Sequence, residues 1–198
     1  MPKPARDKLA VAPALGVGLA APMARVWDPL VRFFHWSLVL SFAVAWLSAN
    51  RIEMLHMWAG YAAGGLVAMR LVWGFVGTRH ARFTDFVRHP ATVLGYLRDI
   101  LRGTESRHLG HNPAGGAMVI ALLIGVAGMA VTGWMMYTDT YYGVDWVAQL
   151  HWLIAHAVLL LIFLHIGGVA LASIRHRENL VRAMVTGAKR LTENEDAN

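Results

Sequence analysis

Residues 147–174 read VAQLHWLIAHAVLLLIFLHIGGVALASI and contain no Asp, Glu, Lys or Arg. At a rise of about 1.5 Å per residue, such a run forms a helix that exceeds the roughly 30 Å of hydrocarbon in a bilayer. Three histidines lie within it, at His151, His156 and His165. Ionisable side chains are costly inside lipid and are usually functional there. The segment therefore predicts a membrane-spanning helix that carries a functional site.

Three further apolar segments are long enough to cross a membrane: 33–49, 54–76 and 114–137, in which Arg70 is the only formal charge. Asp28 and Pro29 suit the N-cap and first turn of the first of these helices. Short connections follow the first and third spans, whereas a long basic segment joins the second to the third. We therefore predict an all-α integral membrane protein, built as an up-down four-helix bundle.

The composition of the chain agrees with a lipid environment. Of its 198 residues 57% are hydrophobic and 15% are charged, and the mean hydropathy is +0.45, which is too apolar for a typical soluble domain. The absence of Cys excludes disulfides, thiolate zinc sites, Cys-held iron–sulfur clusters, covalent c-type haem and a Cys nucleophile. Redox or metal chemistry must use the histidines, the carboxylates or a non-covalent cofactor.

The distribution of basic residues predicts the orientation. Seventeen of the eighteen Lys and Arg lie in the N-terminal segment, in the long middle connection, at the nearby Arg70 or in the C-terminal tail, and only Arg51 lies at the opposite face. The positive-inside rule then places both termini of this multi-pass protein in the cytoplasm and the two short loops outside. The net charge of +6 is thus a topology signal, and we predict no nucleic-acid partner.

Segments outside the spans divide the chain into three parts: a cytoplasmic N-terminal arm (1–24), the membrane domain (25–190) and a disordered polar tail (191–198). Within the long connection, apolar residues between 83 and 101 recur at helical spacing among basic neighbours. This pattern predicts a cytoplasmic interfacial helix on the inner membrane surface, kinked or interrupted at Pro90.

Helical geometry separates the histidines of the fourth span. His151 and His165 are fourteen positions apart, so they share a face and lie about 21 Å from each other along the axis. His156 lies nine positions before His165, about half a turn round the helix. It cannot face the same bundle interior, so we assign it to packing, a helix contact or a hydrogen bond.

Depth in the membrane pairs the remaining histidines across helices. His56 and His151 each lie six residues from the outer boundary, and His35 and His165 lie on the inner halves of their spans. A single His in a span is more often packed or hydrogen-bonded than a ligand. Two facing pairs, stacked along the membrane normal, are nevertheless what two bis-imidazole haems need.

Haem also needs space and a partner for its propionates. Glycines at Gly60, Gly64, Gly167 and Gly168 follow His56 and His165, and they either admit a macrocycle or allow tight helix packing. Arg70 lies fourteen positions after His56, so it returns to that face at the inner level. It either pairs with a propionate or snorkels to the inner interface.

The remaining histidines lie in basic cytoplasmic stretches, and we predict that they are surface residues: His80, His89, His108, His111 and His176.

Four stretches of the chain resemble one family. VWDPLVRFFHW (26–36), LHMWAGYAAGGLVAMRLVWGFVGTRHARF (55–83), LGHNPAGGAM (109–118) and LLLIFLHIGGVALASIRHRENLVRAMVTGAKR (159–190) resemble the bacterial cytochrome b561 family, which includes the b-type cytochrome subunit of nickel–iron hydrogenases. The resemblance implies a four-helix membrane cytochrome with two non-covalent b haems, which moves electrons between a redox partner and the quinone pool.

The family's axial ligands carry onto four residues of this sequence, His35, His56, His151 and His165. Members often follow the outer ligand of the last span with Glu, whereas Trp152 stands here, which affects the outer environment and the choice of partner. The external partner is a hydrogenase, a periplasmic cytochrome c, a quinol or superoxide.

Two other functions are compatible with the sequence. The first is a self-contained quinone oxidoreductase, such as a superoxide oxidase, which resembles what some family members do. The second treats the histidines as a path for a transition metal or for protons, without haem. A purified sample lacking the visible bands of reduced b-type haem would favour this last function.

Overall fold

The computed structural model describes residues 23–190, so the predicted tail and all but the last two residues of the predicted arm lie outside it. Its helices and strands, in chain order, are β1 (Met23–Arg25), α1 (Pro29–Ser48), α2 (Glu53–Val76), α3 (Phe83–Phe86), α4 (Pro90–Arg102), α5 (Pro113–Met135), α6 (Asp145–Arg175), α7 (Leu180–Thr186) and β2 (Ala188–Arg190). A single 3-10 turn, Arg79–Ala81, precedes α3.

Four of these helices, α1, α2, α5 and α6, are long and apolar enough to cross a membrane, which confirms the four predicted spans. Their bounds agree with the prediction to within two residues, except that α1 begins at Pro29 rather than at residue 33. We call the end of the bundle that carries β1, β2, α3, α4 and α7 the basic end. The loops after α1 and α5 form the opposite end, the loop end.

Asp28 caps α1, as the sequence predicts, and also fastens it to α2. One carboxylate oxygen accepts a hydrogen bond from the Val31 N–H at 2.8 Å. The other accepts from Trp73 Nε1–H at 3.1 Å and from the Thr78 hydroxyl. Partial burial acts to raise the pKa of Asp28, but these hydrogen bonds outweigh it and leave the pKa below its ordinary value. The start of α1 is therefore held against the end of α2.

The four long helices do not pack equally against one another. Close backbone approaches join α1 to α2, α2 to α5 and α5 to α6, whereas α6 approaches α1 and α2 only sparsely. The tight α5–α6 contact depends on glycine: a Cβ built at Gly125 would collide with Val158, and one at Gly128 would lie 3.3 Å from Ile154 Cδ1. Close packing on α5 thus leaves α6 separated from the first two helices.

An apolar core fills the middle of the bundle. Its buried members are Phe34, Ala63, Val67, Leu123, Val126 and Val158. All four long helices contribute to this cluster, so it fixes their relative positions between the two ends of the bundle.

The two strands are absent from the all-α prediction. β1 pairs antiparallel with β2, with Met23 opposite Arg190 and Arg25 opposite Ala188. This pairing joins segments more than 160 positions apart in the chain, which no local pattern indicates. The predicted boundary between residues 24 and 25 therefore falls inside β1.

The predicted helix over 83–101 is interrupted, as expected, next to Pro90. α3 ends at Phe86 and α4 begins at Pro90, because proline has no N–H to continue the hydrogen-bond ladder but fits the first turn. His89 caps α4 by accepting the Ala91 N–H at 3.3 Å. Gly103, with φ of +72°, ends the helix.

His111 is not the surface residue that the sequence predicts. Its ring centroid lies 4.6 Å from that of Trp27 and 4.6 Å from that of Phe86. Its Nδ1 is buried and has no hydrogen-bond partner among the described residues. The sequence suggested exposure because the flanking segment is basic, but the aromatic neighbours come from distant parts of the chain.

The surroundings of His111 disfavour its protonation. Burial, followed by the positive charges of Arg70 and Lys189, lowers its pKa from 6.5 to about 3. Asp85 opposes this shift and His80 adds to it weakly. His111 is therefore neutral in the folded protein at pH 7.

This burial predicts a loss of stability in acid. Between pH 6.5 and about 3 the unfolded chain binds a proton at His111 that the folded chain does not, so the free energy of unfolding falls by up to about 1.4 kcal/mol per pH unit. We expect His111→Leu to lose less stability than the wild type between pH 7 and pH 5. Thermal unfolding in detergent, followed by tryptophan fluorescence, measures this. Equal pH dependence in wild type and His111→Leu would contradict the expectation.

Candidate functional site

The structure places four histidines of the long helices in two facing pairs. His56 of α2 and His151 of α6 form the loop-end pair, with ring centroids 6.1 Å apart and ring planes at 77°. His35 of α1 and His165 of α6 form the basic-end pair, with centroids 6.4 Å apart and planes at 54°. These are the two pairings that the sequence predicts.

The two pairs are stacked along the bundle. His151 and His165 belong to one continuous helix, Asp145–Arg175, and fourteen residues separate them, which is about 21 Å at the helical rise. Both pairs bridge the gap that separates α6 from α1 and α2. On this side of the bundle the helices therefore meet through facing imidazole rings and not through close backbone packing.

The distance within each pair fits two axial ligands of one metal. A metal–imidazole bond is about 2 Å and the ring centroid lies roughly 1 Å behind the ligating nitrogen, so two opposed imidazoles have centroids about 6 Å apart. Within 23–190 no group of three or more His, Asp or Glu is arranged to hold a metal ion. Two protein donors are too few for a tetrahedral zinc site, whereas haem supplies the other four ligands itself.

Hydrogen bonds fix the tautomers of the loop-end pair. His56 Nδ1–H donates to the Ala45 carbonyl of α1 at 2.8 Å. His151 Nδ1–H donates to the Thr132 hydroxyl oxygen of α5 at 2.9 Å. Each bond leaves Nε2 with a free lone pair, as a metal-ligating imidazole requires.

Sequence reasoning missed both of these acceptors. Ala45 accepts the hydrogen bond through its backbone carbonyl, so its residue type does not indicate that it contacts His56. Thr132 is a buried hydroxyl residue in an otherwise apolar span, and that contrast was a signal that could have identified it.

The basic-end pair has fewer hydrogen bonds. His35 Nδ1 is buried without a hydrogen-bond partner in the part of the chain that the structure describes. The His35 ring lies edge-on to Trp36, with centroids 5.1 Å apart. A buried nitrogen without a hydrogen bond is costly in hydrocarbon, and a metal bound at Nδ1, or a bound group that accepts its N–H, would relieve that cost.

Arg70 is buried rather than directed to the surface, with 3% of its area exposed. Its Nη2–H donates to the Ala81 carbonyl at 2.9 Å, and its guanidinium lies 5.2 Å from the ring centroid of Phe83 and 6.0 Å from that of Phe86. Nη1 is buried and unpaired within 23–190. The side chain therefore has a donor and a full charge available for an anion.

His156 lies apart from both pairs. Its Nδ1–H donates to the Trp152 carbonyl one turn earlier, at 2.8 Å. Its ring packs against those of Trp152 and Trp46, with centroid distances of 4.0 and 5.4 Å. These contacts agree with the assignment of His156 to packing and a hydrogen bond.

The glycines next to the paired histidines differ in their surroundings. A Cβ built at Gly64 would lie 3.1 Å from Ala130 Cβ, so this glycine serves close packing of α2 on α5. A Cβ at Gly60, Gly167 or Gly168 would meet nothing within 4 Å. Gly60, one turn after His56, leaves open space beside the loop-end pair.

Comparisons with known proteins agree with this arrangement. Residues 26–187 match the family model described as prokaryotic cytochrome b561. The chain is 24% identical to a probable Ni/Fe-hydrogenase B-type cytochrome subunit of Rhodobacter capsulatus, over 82% of this chain and 79% of the relative. It is 28% identical to a protein of the same name from Azotobacter vinelandii, over 63% and 64%. No solved structure matches significantly.

The matched region contains all four long helices and both histidine pairs. The chain belongs to the prokaryotic cytochrome b561 family, and it is an integral membrane b-type cytochrome of electron transfer.

Proposed function

We propose that this protein transfers electrons across the bacterial inner membrane, between a redox partner and the quinone pool, through two non-covalent b haems. The observation that carries the proposal is the pair of imidazole–imidazole distances, 6.1 and 6.4 Å, across helices whose backbones do not pack closely. Two such sites, one near each end of the bundle, suit a protein that connects the two sides of a membrane.

In this proposal His56 and His151 would hold one haem, and His35 and His165 would hold the other. Bound haem supplies one-electron redox chemistry. The chain supplies neutral imidazoles with defined tautomers, an apolar core that separates the two sites, and exclusion of water. These are the factors by which a protein tunes a haem potential.

The orientation follows from charge. The basic end carries most of the Lys and Arg, so we place it in the cytoplasm, with both termini, and the loop end outside. α4 then lies on the inner membrane surface. Its Leu94, Leu97 and Leu101 are exposed in the isolated chain and recur at helical spacing, as in a helix whose apolar face enters lipid.

The names of the relatives suggest the partner. Since several are named as Ni/Fe-hydrogenase cytochrome subunits, we propose a hydrogenase as the electron donor, docked at the loop end. Quinone is the membrane-soluble acceptor that a protein so largely embedded in hydrocarbon can reach. The alternative is superoxide oxidation coupled to quinone reduction. Haem reduction by superoxide without any partner protein would favour that alternative, and reduction only in the presence of the partner would favour the proposal.

Replacing the paired histidines tests the two sites. We expect two haems per wild-type chain by pyridine haemochrome analysis. His56→Ala or His151→Ala should lose the loop-end haem and retain the other, because each removes one of only two protein donors. His35→Ala or His165→Ala should do the reverse, with a distinct residual spectrum.

His156→Ala is the matched control on the same helix as His151 and His165, and it should retain both haems. Loss of one haem in this variant, or full retention in a variant of any paired histidine, would contradict the assignment. A wild-type chain without b-type haem bands would overturn the proposal.

Arg70 has a separate role in the proposal: it pairs with a propionate of the basic-end haem. Its unpaired, buried Nη1 supports this, because a buried guanidinium without an anion is strongly unfavourable. A propionate carboxylate would accept its N–H groups.

We expect Arg70→Met to lower the midpoint potential of one haem only, since loss of a nearby positive charge favours the ferric form. The expected size is about a tenfold change in the ferrous-to-ferric ratio, or about 59 mV for one electron. Optical redox titration measures it. Arg51→Met, at the loop end, is the control. An unchanged potential in Arg70→Met would contradict the role.

A further inference from the structure

We propose that Thr132 is a positioning residue for the loop-end pair, which fixes His151 in the Nδ1–H tautomer and lowers the potential of the haem held there. The inference rests on the proposed function, in which His56 and His151 are axial ligands. Thr132 belongs to α5, a helix that contributes no histidine to either pair. It therefore acts on the site only through His151.

The hydrogen bonds of Thr132 have a defined direction. The hydroxyl lies 2.8 Å from the Gly128 carbonyl oxygen and 3.2 Å from that of Met129. A carbonyl oxygen has no proton to give, so the hydroxyl proton is donated to this backbone. The Thr132 oxygen then has only lone pairs to offer, and the nitrogen of His151, 2.9 Å away, must be the donor.

The Met129 backbone, also on α5, is a second hydrogen-bond partner of His151. Thr132 is 5% exposed, in the part of the bundle that faces α6. A Cβ built at the next residue, Gly133, would lie 3.3 Å from His151 Cε1. The backbone of α5 at Gly133 thus lies close to the imidazole of His151, and the Thr132 hydroxyl oxygen accepts its Nδ1–H. Because Nδ1 is engaged in this hydrogen bond, Nε2 is the nitrogen left for a metal.

A hydrogen bond from Nδ1–H has an electronic effect on the ligand. It increases the basicity of the imidazole, which stabilises ferric over ferrous iron. Back-bonding of Thr to its own helix is common in membrane helices, but the contact between its oxygen and an imidazole on another helix is specific to this site. His35 of the basic-end pair has no acceptor for its Nδ1 among the described residues, so the effect should be confined to one haem.

The experiment compares three variants of the full-length protein by optical redox titration. Thr132→Val keeps the side-chain shape and removes the hydroxyl, and Thr132→Ser retains the hydroxyl. Thr138→Val removes a hydroxyl that donates to the Met135 carbonyl at 2.7 Å and has no imidazole contact.

We expect Thr132→Val to raise the midpoint potential of one haem, with about a tenfold increase in its ferrous-to-ferric ratio at fixed ambient potential, or about 59 mV. The low-temperature EPR signal of that ferric haem should shift with it. The other haem should be unaffected. Thr132→Ser and Thr138→Val should both match the wild type.

Haem content separates this inference from the proposed function. Wild-type protein without haem, or His151→Ala with both haems, would defeat the proposed function. Two retained haems with unshifted potentials in Thr132→Val would defeat only the role of Thr132.

If Thr132→Val fails to retain two haems, Thr132→Ala and Thr132→Ser decide the question. Loss of the loop-end haem in Thr132→Ala with retention in Thr132→Ser would support the hydroxyl as the positioning group. Equal loss in both would contradict it.

Discussion

A polar ring nitrogen enclosed in hydrocarbon needs a partner, and this requirement organises the whole bundle. The loop-end pair meets it in part through the protein: His56 uses a backbone carbonyl of α1 and His151 uses a hydroxyl of α5. The two rings of each pair face one another across the space beside α6. The helices therefore form a frame whose interior surface is completed by a bound group rather than by more side chains.

The helix without a paired histidine makes this frame possible. α5 packs on α6 through glycines and on α2 through the contact of Gly64 with Ala130. It can therefore hold α6 at a fixed distance from α1 and α2, although those helices have few close contacts with it. The same helix supplies the hydroxyl that orients His151. α5 thus has two roles: it holds α6 in position relative to α2, and through Thr132 it orients His151.

Much of this architecture is readable from the sequence, because its main signals are local. Uncharged runs define the spans, and a spacing of fourteen residues places His151 and His165 on one face whatever the neighbouring helices do. The β1–β2 pairing and the partial burial of His111, with its Nδ1 enclosed, were not predictable in this way. Both depend on segments that meet only in the folded chain, and a basic flanking sequence gave His111 the pattern of an exposed residue. The carbonyl of Ala45 left no trace in the sequence, since every residue has one.

The position of α6 in the chain has a consequence for biosynthesis. α6 follows the other three long helices of residues 23–190 and contributes one imidazole to each pair, so neither pair exists while only the earlier spans have been inserted. β2, which closes the basic end against β1, is made later still. The two facing pairs therefore form only after α6 has been made, and a nascent chain that stalls before this helix contains neither pair.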